Sequence, residues 1–142
     1  MGKKIIGRTD KVDFPELGLE NIDIKIDTGA YTSSIHCTEI TEKEGRLTCF
    51  FLDRKDHLNN KKKFTFADYK HVVVKSSNGA VQHRYAIKST IKIFGKTYRL
   101  SLSLNDRSDM RFPVLIGRKF LSGKFIVDPQ LKDLSVKEKN KT

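Results

Sequence analysis

An acid followed by threonine, glycine and alanine, Asp27-Thr28-Gly29-Ala30, stands directly after an alternating run, Ile22-Asp23-Ile24-Lys25-Ile26. That order puts a carboxylate on a tight loop at the end of a strand. Gly29 has no Cβ, so a second backbone or a substrate can approach closely. Thr28 carries a hydroxyl able to bond across such a contact. A carboxylate in this position can take a proton from water as a general base. The tripeptide alone is better explained as an ordinary Asx turn closing a strand. A second segment, Pro113-Val114-Leu115-Ile116-Gly117-Arg118, is an apolar run ending in glycine some ninety residues later, and alone it is a core strand.

The elements that must position these residues are strands. Apolar residues alternate or run together over Ile22–Ile26, Leu47–Leu52, Val72–Val74, Ala86–Phe94, Tyr98–Leu104, Val114–Ile116 and Phe125–Val127. Period-two patterning over short runs broken by turn residues predicts β-sheet. Ser77-Asn78-Gly79 predicts a hairpin with a type I′ turn, and Phe94-Gly95-Lys96 a second corner. Asn105–Arg111 reads as a polar loop, and Arg118–Ser122 as the one short helix. The expected architecture is mainly β, a small closed barrel or sandwich. Asp53–Lys63 reads as a solvated insertion. Lys132–Thr142 reads as a basic, flexible tail, leaving residues 1–131 as a single domain.

The 142 residues carry 28 Lys and Arg against 17 Asp and Glu, a net charge of +11. A field of that sign attracts polyanions, whether nucleic acid, an acidic surface or an acidic peptide. The two cysteines, Cys37 and Cys49, are too few for a secreted disulfide scaffold and read as reduced thiols. No apolar run approaches the ~20 residues that span a bilayer, and Met1–Gly7 is too short and mixed for a signal peptide. A cytoplasmic protein without membrane contact is expected.

Taken together and in order, the motifs resemble the retropepsins, the viral aspartic proteases. They are more closely similar to a bacterial retropepsin-like family labelled ATP-dependent zinc proteases and associated with ATP-grasp glutamate ligases. The matching pieces are Ile26-Asp27-Thr28-Gly29-Ala30, Thr32-Ser33-Ser34-Ile35-His36, Ser76-Ser77-Asn78-Gly79, Arg84-Tyr85, Asp109-Met110-Arg111-Phe112-Pro113, Gly117-Arg118 and Val127-Asp128-Pro129. Tyr31 departs from the pattern, which has a basic residue there.

The resemblance implies a small closed barrel of the acid-protease type with one short C-terminal helix. It also implies an aspartic-type endopeptidase, with Asp27, Thr28 and Gly29 as catalytic loop and no cofactor. Two carboxylates sharing one proton are needed for that chemistry, and no other aspartate here precedes Thr-Gly. A two-fold homodimer joining Asp27 to its own copy is therefore expected, with Thr28 and Arg118 bracing the pair. The hairpin of Ser76, Ser77, Asn78 and Gly79 corresponds to a flap. Ala30, Tyr31, Arg84 and Arg111 are candidate substrate contacts. Net charge and the ligase association point to an acidic peptide, such as a poly-glutamate tail.

Three alternatives stand beside this reading. A zinc peptidase would need ligands from His36, Cys37, Cys49, His57, His71 and His83, but no His-Glu-x-x-His or Cys-x-x-Cys is present, so no metal is expected. A non-catalytic module could hold an acidic peptide on the same fold. Nucleic-acid binding wants basic residues interleaved with stacking aromatics. Here the Phe and Tyr residues fall in strand positions that suit core packing, so nucleic acid is not the expected partner. No Gly-x-x-x-x-Gly-Lys-Ser/Thr loop for a nucleotide is present.

Overall fold

A computed structural model describes residues 2–53, 60–75, 78–106 and 111–141. The strands are β1 (Lys4–Ile6), β2 (Thr9–Phe14), β3 (Leu19–Ile26), β4 (Ser33–His36), β5 (Thr38–Lys43), β6 (Arg46–Asp53), β7 (Asn60–Phe66), β8 (Lys70–Lys75), β9 (Val81–Ile93), β10 (Lys96–Asn105), β11 (Val114–Ile116) and β12 (Phe125–Val127). Two helices follow late in the chain, α1 (Arg118–Leu121) and α2 (Leu134–Asn140).

Six strands close into a barrel in the order β10-β4-β11-β3-β2-β9, with β9 and β10 pairing to complete the ring. The alternation in β3 does what period-two patterning requires: Ile22, Ile24 and Ile26 point inward. They meet Ile87, Ile91 and Ile93 of β9, Leu102 and Leu104 of β10, and Val114 and Ile116 of β11 in one buried core. Each such aliphatic side chain contributes ~1.5–3 kcal/mol on burial. The mainly β closed barrel expected from the sequence is therefore the fold.

Two turns fix strand register. Phe94 and Gly95 both take positive φ, 51° and 71°, between Ile93 and its partner Lys96. That is the type I′ geometry whose twist matches a hairpin. The Asn78-Gly79 corner differs. Gly79 is left-handed there, at φ 85°, and Asn78 Oδ1 accepts from the Ala80 amide at 3.1 Å. β8 and β9 part at Lys75 and Val81, so the connection is longer than two residues.

Two expectations are corrected. The end of the presumed solvated insertion, from Asn60 onward, is strand β7, which pairs with β6 in a side sheet ordered β5-β6-β7. Phe64 and Phe66 pack there against Phe51, ring centroids 5.6 and 6.3 Å away. Their apolar face holds the strand down despite Lys61–Lys63. The presumed loose tail carries α2. Asp10, buried on β2, accepts the amides of Ser135 at 2.8 Å and Val136 at 3.1 Å. A carboxylate from another element thus satisfies the first-turn donors that a helix leaves open.

Candidate active site

The loop at Asp27 is built by strand order. Chain order would set β4 beside β3, but β11 lies between them, parallel to β3 and antiparallel to β4. The chain must therefore bend out and over β11 between Ile26 and Ser33. The Asp27 amide donates to Ile116 O at 2.8 Å, so the loop starts directly on the end of β11. Thr28, Gly29 and Tyr31 are exposed, and Asp27 and Ala30 are partly buried.

The loop is pinned from both sides. Its own turn is closed by Ala30 N to Asp27 O at 3.2 Å and by Gly29 N to Asp27 Oδ1 at 3.1 Å. A Cβ on residue 29 would stand 3.3 Å from that same carboxylate oxygen, which is why glycine fits. On the other side, the amides of Arg118 and Lys119 donate to Ala30 O and Tyr31 O, both at 2.9 Å. The N-terminus of α1 thus supplies the loop's outer carbonyls with donors it could not use internally. Gly117 lets this happen. A Cβ there would lie 2.6 Å from Thr32 O and 2.7 Å from Tyr31 O. Its amide donates to Ser33 Oγ at 3.0 Å.

Arg118, expected as a brace between chains, braces its own loop. Nη1 donates to Thr28 O at 2.8 Å, and the guanidinium lies 5.8 Å from the Tyr31 ring centroid. Asp27, Thr28, Gly29, Ala30, Tyr31 and Arg118 are therefore brought together. Ser76 and Ser77 lie outside the described residues. Asn78 and Gly79 are exposed at the end of the β8–β9 hairpin. Arg84 sits on that hairpin opposite Val72, its Nε donating to Gln82 Oε1 at 3.1 Å. Arg111 is exposed just before β11, its guanidinium 5.8 Å from the ring of Phe112.

The hairpin and the loop bound one groove of about 820 Å³, reaching from Thr32 and Ser33 to Val72–Val74. Its floor is the outward face of the β9–β10 pair, where Lys88 stands opposite Ser101 and Arg99 opposite Thr90. Lys70, Lys119 and Lys124 add to its border, against the acids Glu16 and Asp68. Asp27 itself does not line it. The five cations of this groove were not singled out in the sequence. For Lys88 and Arg99 the local signal is the polar phase of the alternation in β9 and β10, which says outward but not toward what; Lys70, Lys119 and Lys124 lie outside those two strands.

Among the described residues no three His, Cys, Asp or Glu side chains converge as a metal site. His36 ends β4 beside Asn105 and His71 lies on β8, while Cys37 and Cys49 are buried free thiols. His57 lies outside the described residues. No described helix is long and apolar enough to cross a membrane.

Comparison with known proteins places this geometry. The chain is 35% identical over 133 residues to a probable alpha-L-glutamate ligase of Shewanella halifaxensis, covering 89% of this chain and 29% of that protein. Proteins of the same name from Shewanella pealeana (36% over 133 residues, 89% of this chain) and Desulfotalea psychrophila (32% over 139 residues, 92% of this chain) match equally short parts of themselves, 29% in each case. The chain thus spans less than a third of the length of these curated relatives. The crystal structure of Lpg0085, a Legionella pneumophila protein of unknown function, superposes with a TM-score of 0.69 at 25% identity, covering 94% of this chain and 99% of that one. Residues 5–138 match the family described as retropepsin-like aspartic endopeptidase RimB. The chain belongs to this RimB-like family.

Proposed function

We propose that the protein is an aspartic-type endopeptidase, active as a two-fold homodimer in which Asp27 meets its symmetry copy. The observation that carries this is the state of the Asp27 carboxylate. It is partly buried on a loop pinned by β11 and α1, Oδ1 holds only the Gly29 amide among the described residues, and the flanking Thr28, Gly29 and Tyr31 are uncovered. A second copy of the same loop would cover them.

In such a dimer the two carboxylates, ~3 Å apart, share one proton, because both cannot be charged at that distance. The ionised partner takes a proton from water as the water oxygen attacks the scissile carbonyl carbon. The protonated partner hydrogen-bonds the carbonyl oxygen and gives up its proton as the tetrahedral intermediate forms. Proton return to the amine nitrogen then releases the two peptides. The pair titrates as one unit. The β8–β9 hairpin acts as the lid over bound peptide.

The substrate class this reading favours is an acidic peptide, such as a poly-glutamate tail. The groove beside the loop carries five cations against two acids. The longer relatives are named as glutamate ligases, so a glutamate-rich chain is the chemistry common to both. Arginine in such a groove can grip a carboxylate through two parallel hydrogen bonds.

A mixed peptide library containing glutamate tails tests this, with Asp27→Asn and a chelator-treated sample alongside. Cleavage lost in Asp27→Asn, kept with chelator and concentrated in acidic peptides is the expected result. Cleavage indifferent to acidic residues removes the substrate assignment. Binding of acidic peptide without cleavage by the wild type supports the second reading, a non-catalytic peptide-binding module using the same groove.

A further inference from the structure

A carboxylate of the side sheet reaches the hairpin. Glu42 on β5 stands opposite Leu47 of β6. Residues paired across strands share a face, and Leu47 is fully buried, so Glu42 lies on the sheet's inner side. There it meets three rings at the base of the hairpin. The Tyr69 hydroxyl donates to Oε2, the Tyr85 hydroxyl donates to Oε1 at 3.5 Å, and His71 Nε2 lies 3.9 Å from Oε1. The rings themselves pack, with centroids 4.7 Å apart for His71–Tyr85 and 5.8 Å for Tyr69–Tyr85. The bond to Glu42 pushes the Tyr69 phenol up to about 12.

Register places all of this on one face. Tyr69 immediately precedes β8, His71 lies on β8, and Tyr85 is its partner on β9. The opposite face presents Val72 and Val74 to the groove, whose border Val73 also joins. Further along the outer face, toward the tip, Val73 and Val81 are 61% and 52% exposed. The hairpin's outer face is thus held at its base and bare beyond it. Among the described residues β8 pairs through its backbone with β9 alone, so side-chain anchors must set its position.

We propose that Glu42 is a positioning residue that clamps the base of the β8–β9 hairpin to the side sheet and so sets where the hairpin sits over the groove. Its consequence for cleavage rests on the lid reading above. Its consequence for the hairpin does not.

Amide hydrogen exchange on the free, full-length protein tests this, read over residues 70–75 and 81–86. Glu42→Ala accelerates exchange there roughly tenfold, the scale of one lost hydrogen bond to a charged group, while amides of β3 and β10 keep their wild-type rates. Glu42→Gln, which retains one acceptor oxygen, falls between. Tyr69→Phe combined with Tyr85→Phe gives most of the Glu42→Ala effect. Adding Glu42→Ala to that pair removes only the remaining His71 contact, so the effects are far from additive, as for groups acting through one carboxylate. Unchanged hairpin exchange in Glu42→Ala overturns the proposal, whether or not the protein cleaves peptide. So does acceleration spread evenly through the barrel, which is global destabilisation. If the hairpin loosens and the wild type cleaves, Glu42→Ala raises KM more than it lowers kcat. If the hairpin loosens and no Asp27-dependent cleavage exists, the clamp stands and the peptidase reading falls.

Discussion

Arg118 donates a hydrogen bond from Nη1 to the carbonyl oxygen of Thr28 at 2.8 Å, across ninety positions of sequence. The bond joins the two segments whose spacing was the main signal in the chain. It makes α1 and the Asp27 loop one rigid piece, because the backbone of the same residue also holds Ala30 O.

Asp27→Asn is expected to abolish cleavage, by the ~10²–10⁴-fold typical of losing an acid–base group, with almost no change in melting temperature. The Gly29 amide still finds an oxygen acceptor in the amide side chain. Steady-state assay beside a thermal melt checks both halves. Retained activity would exclude Asp27 from the chemistry.

Arg118→Ala should cost activity far more than stability. The lost bond is charge-assisted but exposed, so its contribution to folding is ~1 kcal/mol or less. Its effect on the loop is positional, and small misplacements of a reacting group cost orders of magnitude in rate. Arg118→Lys should rescue only in part, since an ammonium lacks the planar fork. Comparing kcat/KM with urea midpoints for the two variants separates these effects.

Gly117→Ala should behave in the opposite way, destabilising first. Its Cβ would have to push back the carbonyl oxygens of Tyr31 and Thr32, 2.7 and 2.6 Å away. Such overpacking costs about 1–3 kcal/mol. A drop in denaturation midpoint with unchanged slope is the expected readout.

Asp10 gives the stability a defined pH dependence. Burial raises its pKa above the ordinary 3.8, against the lowering effect of the amides of Ser135, Lys11 and Val136. The folded state therefore holds the proton more tightly than the unfolded chain. The part of Asp10's contribution that is linked to its proton is fully present below 3.8 and is lost as pH rises through the higher folded value, while its bonds to the α2 amides remain. In Asp10→Ala this segment of the stability–pH curve should flatten. At neutral pH the same variant should lose about 1–3 kcal/mol, because two helix amides go unpaired, and α2 should exchange its amides faster than the barrel does.

Much of the barrel could be read locally. Ile22-Asp23-Ile24-Lys25-Ile26 and the runs at Ala86–Phe94 and Tyr98–Leu104 alternate because one face of each strand is buried, and that constraint is written residue by residue. β7 was hidden because Lys61–Lys63 look solvated, and only the packing of Phe64 and Phe66 on Phe51 shows otherwise. α2 was hidden because the group that caps it lies 125 positions away.

By itself, then, the sequence determined the strand faces, the Asp27-Thr28-Gly29-Ala30 loop, the apolar strand ending at Gly117 and the family those motifs point to. These rest on short-range order, where side-chain period and glycine placement act directly. Only the tertiary structure decided that β11 enters between β3 and β4, that Arg118 holds Thr28 within one chain, that five cations line one groove, and that Glu42 reaches Tyr69 and Tyr85. Those relations depend on strand order and register, which long-range burial selects and no local pattern encodes.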